Sequence, residues 1–314
     1  MATSGSVDFA VTRTQIVNQA LEKIGAIAQG ETPSAEDSVS AVLTLNALVK
    51  VWQAEGIKIW TRRVAYLFTS KSQGRYTLGP NSSDHAAEFA DAVFTTLSAD
   101  AASGASSISV TSSTGMATAD YIGVVLDDGT IDWDTISAIP GAVTLTGTLS
   151  GAAASGNAVF SYTTKIARPL QVLDAQRTNT SNQDTPMIMV PKETYERIPN
   201  KTETGKTNQV FYQPEIPDGF IHLWPEPEDS SDRMRLTCIF PIEDFDDTSN
   251  NPDLPQEWIL PLIWNLAEDL LPNYAVPQAD ARMVIAGAEK YKAIVEMYDQ
   301  EPDSIQFQPN MRYG

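Results

Sequence analysis

The sequence predicts an α+β fold: N- and C-terminal helical hairpins forming an α-helical bundle, with a β-rich middle and an inserted small all-β sandwich or barrel domain. Three observations predict it. Apolar residues recur at helical spacing near both chain ends, and between them the pattern changes to period-two alternation. Within that middle, a stretch dense in Ala, Ser, Thr and Gly keeps its alternation, which argues against low-complexity disorder. The expected boundaries are 1–62 for the first helical hairpin, 63–92 for a β-hairpin and connector, and 93–164 for the inserted domain. Residues 165–254 form a β-rich region, 255–301 a C-terminal helical hairpin packing with the first, and 302–314 an extended tail.

The first helix starts at Thr12-Arg13-Thr14-Gln15, the spacing of a capping box. Ile16, Val17, Ala20, Leu21 and Ile24 follow at helical spacing, and Gly25 offers a left-handed stop. A second helix opens at Ser34 after Pro33, with Glu36 and Asp37 where the helix dipole favours anions. Val39, Val42, Leu43, Asn46, Val49 and Trp52 are expected on its packed face, and Gly56 ends it. From Ser34 to Glu55 it would be roughly 33 Å long at about 1.5 Å per residue. The short connection favours an antiparallel pair.

Val64–Thr69 and Gly74–Leu78 read as the two arms of a hairpin, and His85–Asp91 as a short helical turn. In the insert, Ser107–Val110, Tyr121–Leu126, Thr135–Ile139, Val143–Thr146 and Ala158–Tyr162 are short strands. Asp-Asp-Gly, Pro-Gly and Ser-Gly turns separate them. Farther on, Met187–Val190, Val210–Tyr212, Phe220–Pro225 and Met234–Pro241 are β segments, the last with one buried and one wet face. Near the end Pro255 suits a helix start, and Trp258, Leu262, Leu266 and Leu270 form a stripe that Pro261 should kink early. Pro277 starts the last long helix, whose apolar face carries Ala281, Val284, Ile285, Ala288, Tyr291, Val295 and Tyr298. Beyond it Ile305, Phe307, Pro309, Met311 and Tyr313 alternate along a tail that asks for a surface to lie on.

Composition narrows the function classes. At a net charge of −19 the chain has no basic stripe for phosphate contacts. Acid is concentrated in two places: Tyr76–Thr164 contains no Lys or Arg, and Glu215–Glu257 is relieved only by Arg233 and Arg235. No stretch approaches the roughly 20 apolar residues of a membrane span, and Met1–Phe9 lacks the basic start of a secretory signal. One cysteine, Cys238, excludes an internal disulfide framework, and with two histidines it leaves no soft-ligand zinc site within one subunit.

Catalytic signals stay at background. His85 follows Asp84 in an acidic loop, and His222 and Cys238 lie in strands, so each reads as structural. Asp127, Asp128, Asp132 and Asp134 lack the ligand spacing and the glycine of an EF-hand. Glu226 and Glu228 sit in a Pro-rich loop without a cleft around them, and residues 151–156 lack the Lys of a phosphate loop. The expectation is no enzyme, no cofactor and no metal.

Several local patterns point to one family. Ile16–Gly25 followed by Gly30-Glu31, then Leu45-Asn46-Ala47-Leu48 and Trp52–Gly56, resemble the opening of the head-to-tail adaptors of short-tailed bacteriophages. Pro199-Asn200-Lys201 and Leu223–Pro227 resemble the β region of larger members, and Pro252–Trp258, Leu266–Leu270 and Tyr274 the third helix. The resemblance leaves 93–162 unmatched. It is to the tubular tail protein A and packaged-DNA stabilisation group, and it implies a dodecameric ring of identical subunits in the virion neck. Such a ring docks under the portal protein, extends the DNA channel, helps retain the genome and offers a surface to the tail nozzle and fibres. It implies assembly in the host cytoplasm, no membrane, and double-stranded DNA passing without specific binding. By position, Ile305, Phe307, Pro309, Met311 and Tyr313 become portal or neighbour contacts. Glu226, Glu228, Asp244, Asp246 and Asp247 are the acidic candidates for the channel wall. The alternative is a tail or baseplate subunit whose β insert binds host-surface carbohydrate.

Overall fold

The computed structural model describes residues 9–56, 61–139 and 141–298. The fold is mixed α+β and divides into two compact units. One draws on both chain ends, up to residue 60 and from residue 242, and the other is Thr61–Pro241. The described helices are α1 (Arg13–Lys23), α2 (Ala35–Glu55), α3 (Lys192–Glu196), α4 (Ile259–Leu270) and α5 (Gln278–Tyr298). Among the described residues no helix is long and apolar enough to cross a membrane.

In the end-to-end unit the caps follow the sequence. The Gln15 N–H donates to Thr12 Oγ1 at 3.4 Å while the Thr12 N–H donates to Gln15 Oε1 at 2.9 Å, so two orphan donors are satisfied reciprocally. Ser34 accepts from the Asp37 N–H at 3.1 Å, and Gly56 closes α2 with φ +110°, a conformation only glycine adopts without strain. A 3-10 turn over Gln256–Trp258 leads into α4. Pro261 falls in the first turn of α4, where its missing N–H has no intrahelical partner to lose, and the helix runs on to Leu270. Helix α4 touches α1, α2 and α5, and its Leu262, Leu266 and Leu270 are fully buried together with Trp258 of the preceding turn.

The packed face of α2 differs from the expected one. Val39 and Leu43 are 71% and 72% exposed, and the core receives Ala41, Leu45, Leu48, Val49 and Trp52. This helix is apolar on more than one stripe, so spacing alone does not choose between them. Trp52 decides it: its ring meets Trp258 edge-on at 5.7 Å, and that turns the Val39 side outward. On α5, Val284, Ala288 and Val295 are buried, while Ile285 is 37% exposed. The Tyr274 hydroxyl, just before α5, donates to Asp37 at 2.7 Å, and Lys292 pairs with Glu55 at 2.6 Å. The starts of α2 and α5 therefore lie together, as do their later turns, and the two run parallel.

Gly287 brings α4 and α5 close. A Cβ there would stand 2.5 Å from Trp264 Cε3, and that indole is held by Tyr291 at 5.8 Å and by the Lys23 ammonium at 4.2 Å. Helix propensity alone favours alanine by about 0.5–1 kcal/mol. We expect Gly287→Ala to destabilise instead, by about 1–3 kcal/mol in urea unfolding, because the added methyl forces the Trp264 ring out of its contacts with Tyr291 and Lys23.

The described residues of the other unit form four sheets. The first runs β11 (Asp184–Pro186), β10 (Gln171–Thr178), β17 (Arg233–Ile239), β1 (Arg62–Phe68), β3 (Ala86–Glu88). The second runs β12 (Ile188–Met189), β14 (Gln209–Gln213), β15 (Gly219–Trp224), β2 (Arg75–Leu78). A two-stranded piece pairs β13 (Thr204–Gly205) with β16 (Glu226–Pro227). Two expectations are corrected here. Segments β1 and β2 do not form a hairpin: both edges of β1 are taken, by β17 and β3, so β2 pairs with β15 in the other sheet. Residues 85–91 are not helical throughout: Ala86–Glu88 pair antiparallel with Ala65–Leu67, and a turn follows only over 89–91.

The insert is one six-stranded antiparallel sheet, ordered β4 (Val93–Thr96), β9 (Ala158–Tyr162), β6 (Tyr121–Val125), β7 (Ile131–Ala138), β8 (Val143–Leu145), β5 (Ser107–Ile108). Its first and last strands meet again: the Ser98 N–H donates to Ser109 O and the Thr111 N–H to Thr96 O, with Leu97 bridging Val110. The sheet thus curls back on itself around Leu97, Ile122, Val124, Ile136, Val143 and Val159. An aromatic seam joins it to the first sheet. Phe68 of β1 stacks on Phe160 at 5.1 Å, and Tyr66 meets Phe94 at 5.0 Å.

Candidate interaction surfaces

The acidic candidates fall in both units. Asp244, Asp246 and Asp247 flank the buried Phe245 in the helical unit, whereas Glu226 and Glu228 follow β15 in the β unit. Each has local work. Asp244 pairs with Lys50 at 2.7 Å, and Asp246 accepts from Asn250 Nδ2 at 2.6 Å. Asp247 accepts the Ser249 N–H and hydroxyl, which hold its carboxyl below the usual range. Glu228 pairs with Lys206 at 3.1 Å. Glu226 is packed against Gly74, where a Cβ would meet its Oε1 at 2.9 Å, and burial pushes its carboxyl up. The tail candidates Ile305, Phe307, Pro309, Met311 and Tyr313 lie outside the described residues.

The acidic run of the insert has a structural role that sequence reading missed. Asp134 accepts the Gly147 N–H at 2.7 Å, Asp132 the Ser150 N–H at 2.7 Å and Asp127 the Ala154 N–H at 2.8 Å. Asp128 accepts both the N–H and hydroxyl of Thr130, which lower its pKa. These carboxylates pin loop backbone that would otherwise lack acceptors. Among the described residues, no group of three or more His, Cys, Asp or Glu is placed to hold a metal.

The groups closest to catalytic chemistry are built into packing. His85 lies face to face with Trp133, centroids 3.8 Å apart, and its Nδ1 is hydrogen-bonded to the Tyr162 hydroxyl at 2.6 Å. Burial, and next the Lys165 charge, lower its pKa to about 4. His222 stacks on Phe211 at 5.5 Å, and its pKa is lowered chiefly by burial. Cys238 is fully buried, and burial pushes its thiol up to about 12, the opposite of a reactive thiolate. Of the insert's aromatic rings, Phe94, Trp133, Phe160 and Tyr162 face the seam; none of these is offered outward for stacking on a sugar.

Among the described residues, two exposed apolar surfaces lie on the helical unit. Val39, Leu43 and Val51 form an exposed row along α2. Beside it runs a groove of about 320 Å³ with Leu48, Val51 and Trp52 along it and Glu55, Glu268, Asp269 and Lys292 around it. Burial raises the pKa of Glu268 and of Asp269. On α5, Met283, Ile294 and Met297 form the second exposed row. The signal for both was present, since each helix carries more apolar residues than one face needs.

No family model and no curated protein matches the chain. Among solved structures, VP17, a capsid protein of bacteriophage P23-77, aligns over 59% of this chain and 77% of that one. The alignment is 11% identical with a TM-score of 0.12, too slight to carry a fold across.

Proposed function

We propose that this chain is a structural head-to-tail adaptor of a short-tailed bacteriophage, a ring subunit and not an enzyme. One observation carries the reading. The segments that resemble the adaptor family, Ile16–Gly25, Leu45–Gly56, Pro252–Trp258 and Leu266–Leu270, are far apart in sequence, yet their buried residues share one core. We read the four long helices around that core as the family's α-helical bundle. The ring, a dodecamer by the same reading, docks under the portal protein, extends the DNA channel and presents a surface to the tail nozzle and fibres. Its acidic excess lets double-stranded DNA slide past without binding. Part of the belt from Glu215 to Glu257 faces the channel, and cryo-EM of the assembled neck with those carboxylates on the outer rim would refute that placement. The adaptor reading is tested by native mass measurement of the purified protein alone and with its cognate portal. A monomer alone and a discrete ring on the portal is the expected result; absence of any portal association overturns it.

A further inference from the structure

The two exposed apolar rows of the helical unit face different ways. Lys292, which lines the groove, is nine residues past Met283, and at about 100° per residue that is half a turn around α5. Ile294 and Met297 return to the side of Met283. The α5 row therefore points away from the groove that α2 borders. A twofold contact would cover one row and leave the other wet, whereas a head-to-tail contact covers both at once.

Charge distinguishes the two surfaces in the same sense. The groove sets three carboxylates, Glu55, Glu268 and Asp269, against one ammonium, Lys292, already paired with Glu55. The α5 row carries exposed Lys290 within it, while exposed Arg282, Glu289 and Glu296 follow one another at heptad spacing along a single edge of that row. Apolar residues meet apolar residues on both sides, and the cation of one surface matches the carboxylate excess of the other. Both helices are 21 residues long and run parallel, so the rows are also of similar length.

We infer that the occupant of these surfaces is a second copy of this chain: the α5 row of one copy seats on the α2 row and acidic groove of the next, with Lys290 directed at Glu268 and Asp269. The inference deepens the ring-subunit reading and rests on it for the identity of the occupant. It adds which faces meet, in what polarity, and which charge selects the register. A contact of this kind leaves one free surface at each end of every oligomer, so it grows until it closes.

The test mixes the cognate portal with full-length chain carrying exposed cysteines and adds a bis-maleimide, Cys238 being buried. Leu43→Cys and Ile294→Cys are made singly and together, with folding checked by circular dichroism. The double variant should give a ladder extending beyond dimer, an equimolar mixture of the two single variants should stop at dimer, and each single variant should stay monomeric. Adding Lys290→Glu to the double variant should remove most of the ladder. Dimers from a single variant alone would mean a twofold contact, and a monomeric double variant would mean another occupant; either overturns the inference. A portal-bound ring that forms without the 43–294 cross-link overturns it while sparing the adaptor reading. A ladder from a protein that ignores the portal supports the inference and removes that reading.

Discussion

Replacing Trp258 with alanine should destabilise the helical unit by about 3–5 kcal/mol, the usual scale for deleting a buried indole. The side chain is fully buried at the entrance to α4, where its ring meets Trp52 from α2. It therefore joins segments from opposite ends of the chain, and a cavity there cannot be closed by a local shift of one helix. Neither indole N–H has a hydrogen-bond partner in the structure, so the contribution is packing. Trp258→Phe should accordingly cost far less, since the removed donor was unsatisfied. Urea unfolding followed by far-ultraviolet circular dichroism measures both. A loss below about 1 kcal/mol for the alanine variant would mean that this pair does not centre the core.

A second large effect is expected on mild acidification. His85 is held neutral in the folded chain, its pKa lowered from 6.5 to about 4 by burial and by Lys165, against a smaller opposing pull from Asp84. The unfolded chain takes up this proton first. Stability from the neutral ring is thus fully present above pH 6.5 and is lost as pH falls toward 4, by roughly 3 kcal/mol in all. Glu226, Glu268 and Asp269, raised by burial, act in the opposite direction near the lower end of that window, so the wild-type curve alone is a mixture. The comparison with His85→Phe isolates the imidazole. Phenylalanine keeps a ring against Trp133 and loses only the bond to Tyr162, so its stability should be flatter over the same range. Parallel curves for the two proteins would show that His85 is not the titrating group.

Much of the helical architecture was legible because capping is local. Thr12, Gln15, Ser34 and Gly56 act on neighbours within four residues, and those interactions are visible in any one-dimensional reading. Which face of a capped helix is buried is another matter. On α2 the answer depends on Trp258, some two hundred residues away, and spacing alone points Val39 and Leu43 inward. Strand pairing failed for a related reason. Segments β1 and β2 have the pattern and the short turn of a hairpin, but the edge β2 would need is taken by β17 and β3. Of the candidate site, the acidic belts were obvious and their uses were not. A carboxylate that pins a loop, as Asp134 does for Gly147, is indistinguishable in sequence from one that waits in a channel.

The core that joins the two chain ends also governs what fragments of this protein can be. Helices α1 and α2 complete their shared interior only with α4, which follows the whole of the β unit in the chain. A piece ending at Pro241 contains every strand yet only half of the other unit, with Trp52 left facing solvent. A piece starting at Ile242 has the complementary defect. The β unit, being continuous, is the part that a simple truncation can isolate intact, whereas the helical unit becomes expressible alone only if the chain is cut and rejoined across the gap between Trp60 and Ile242.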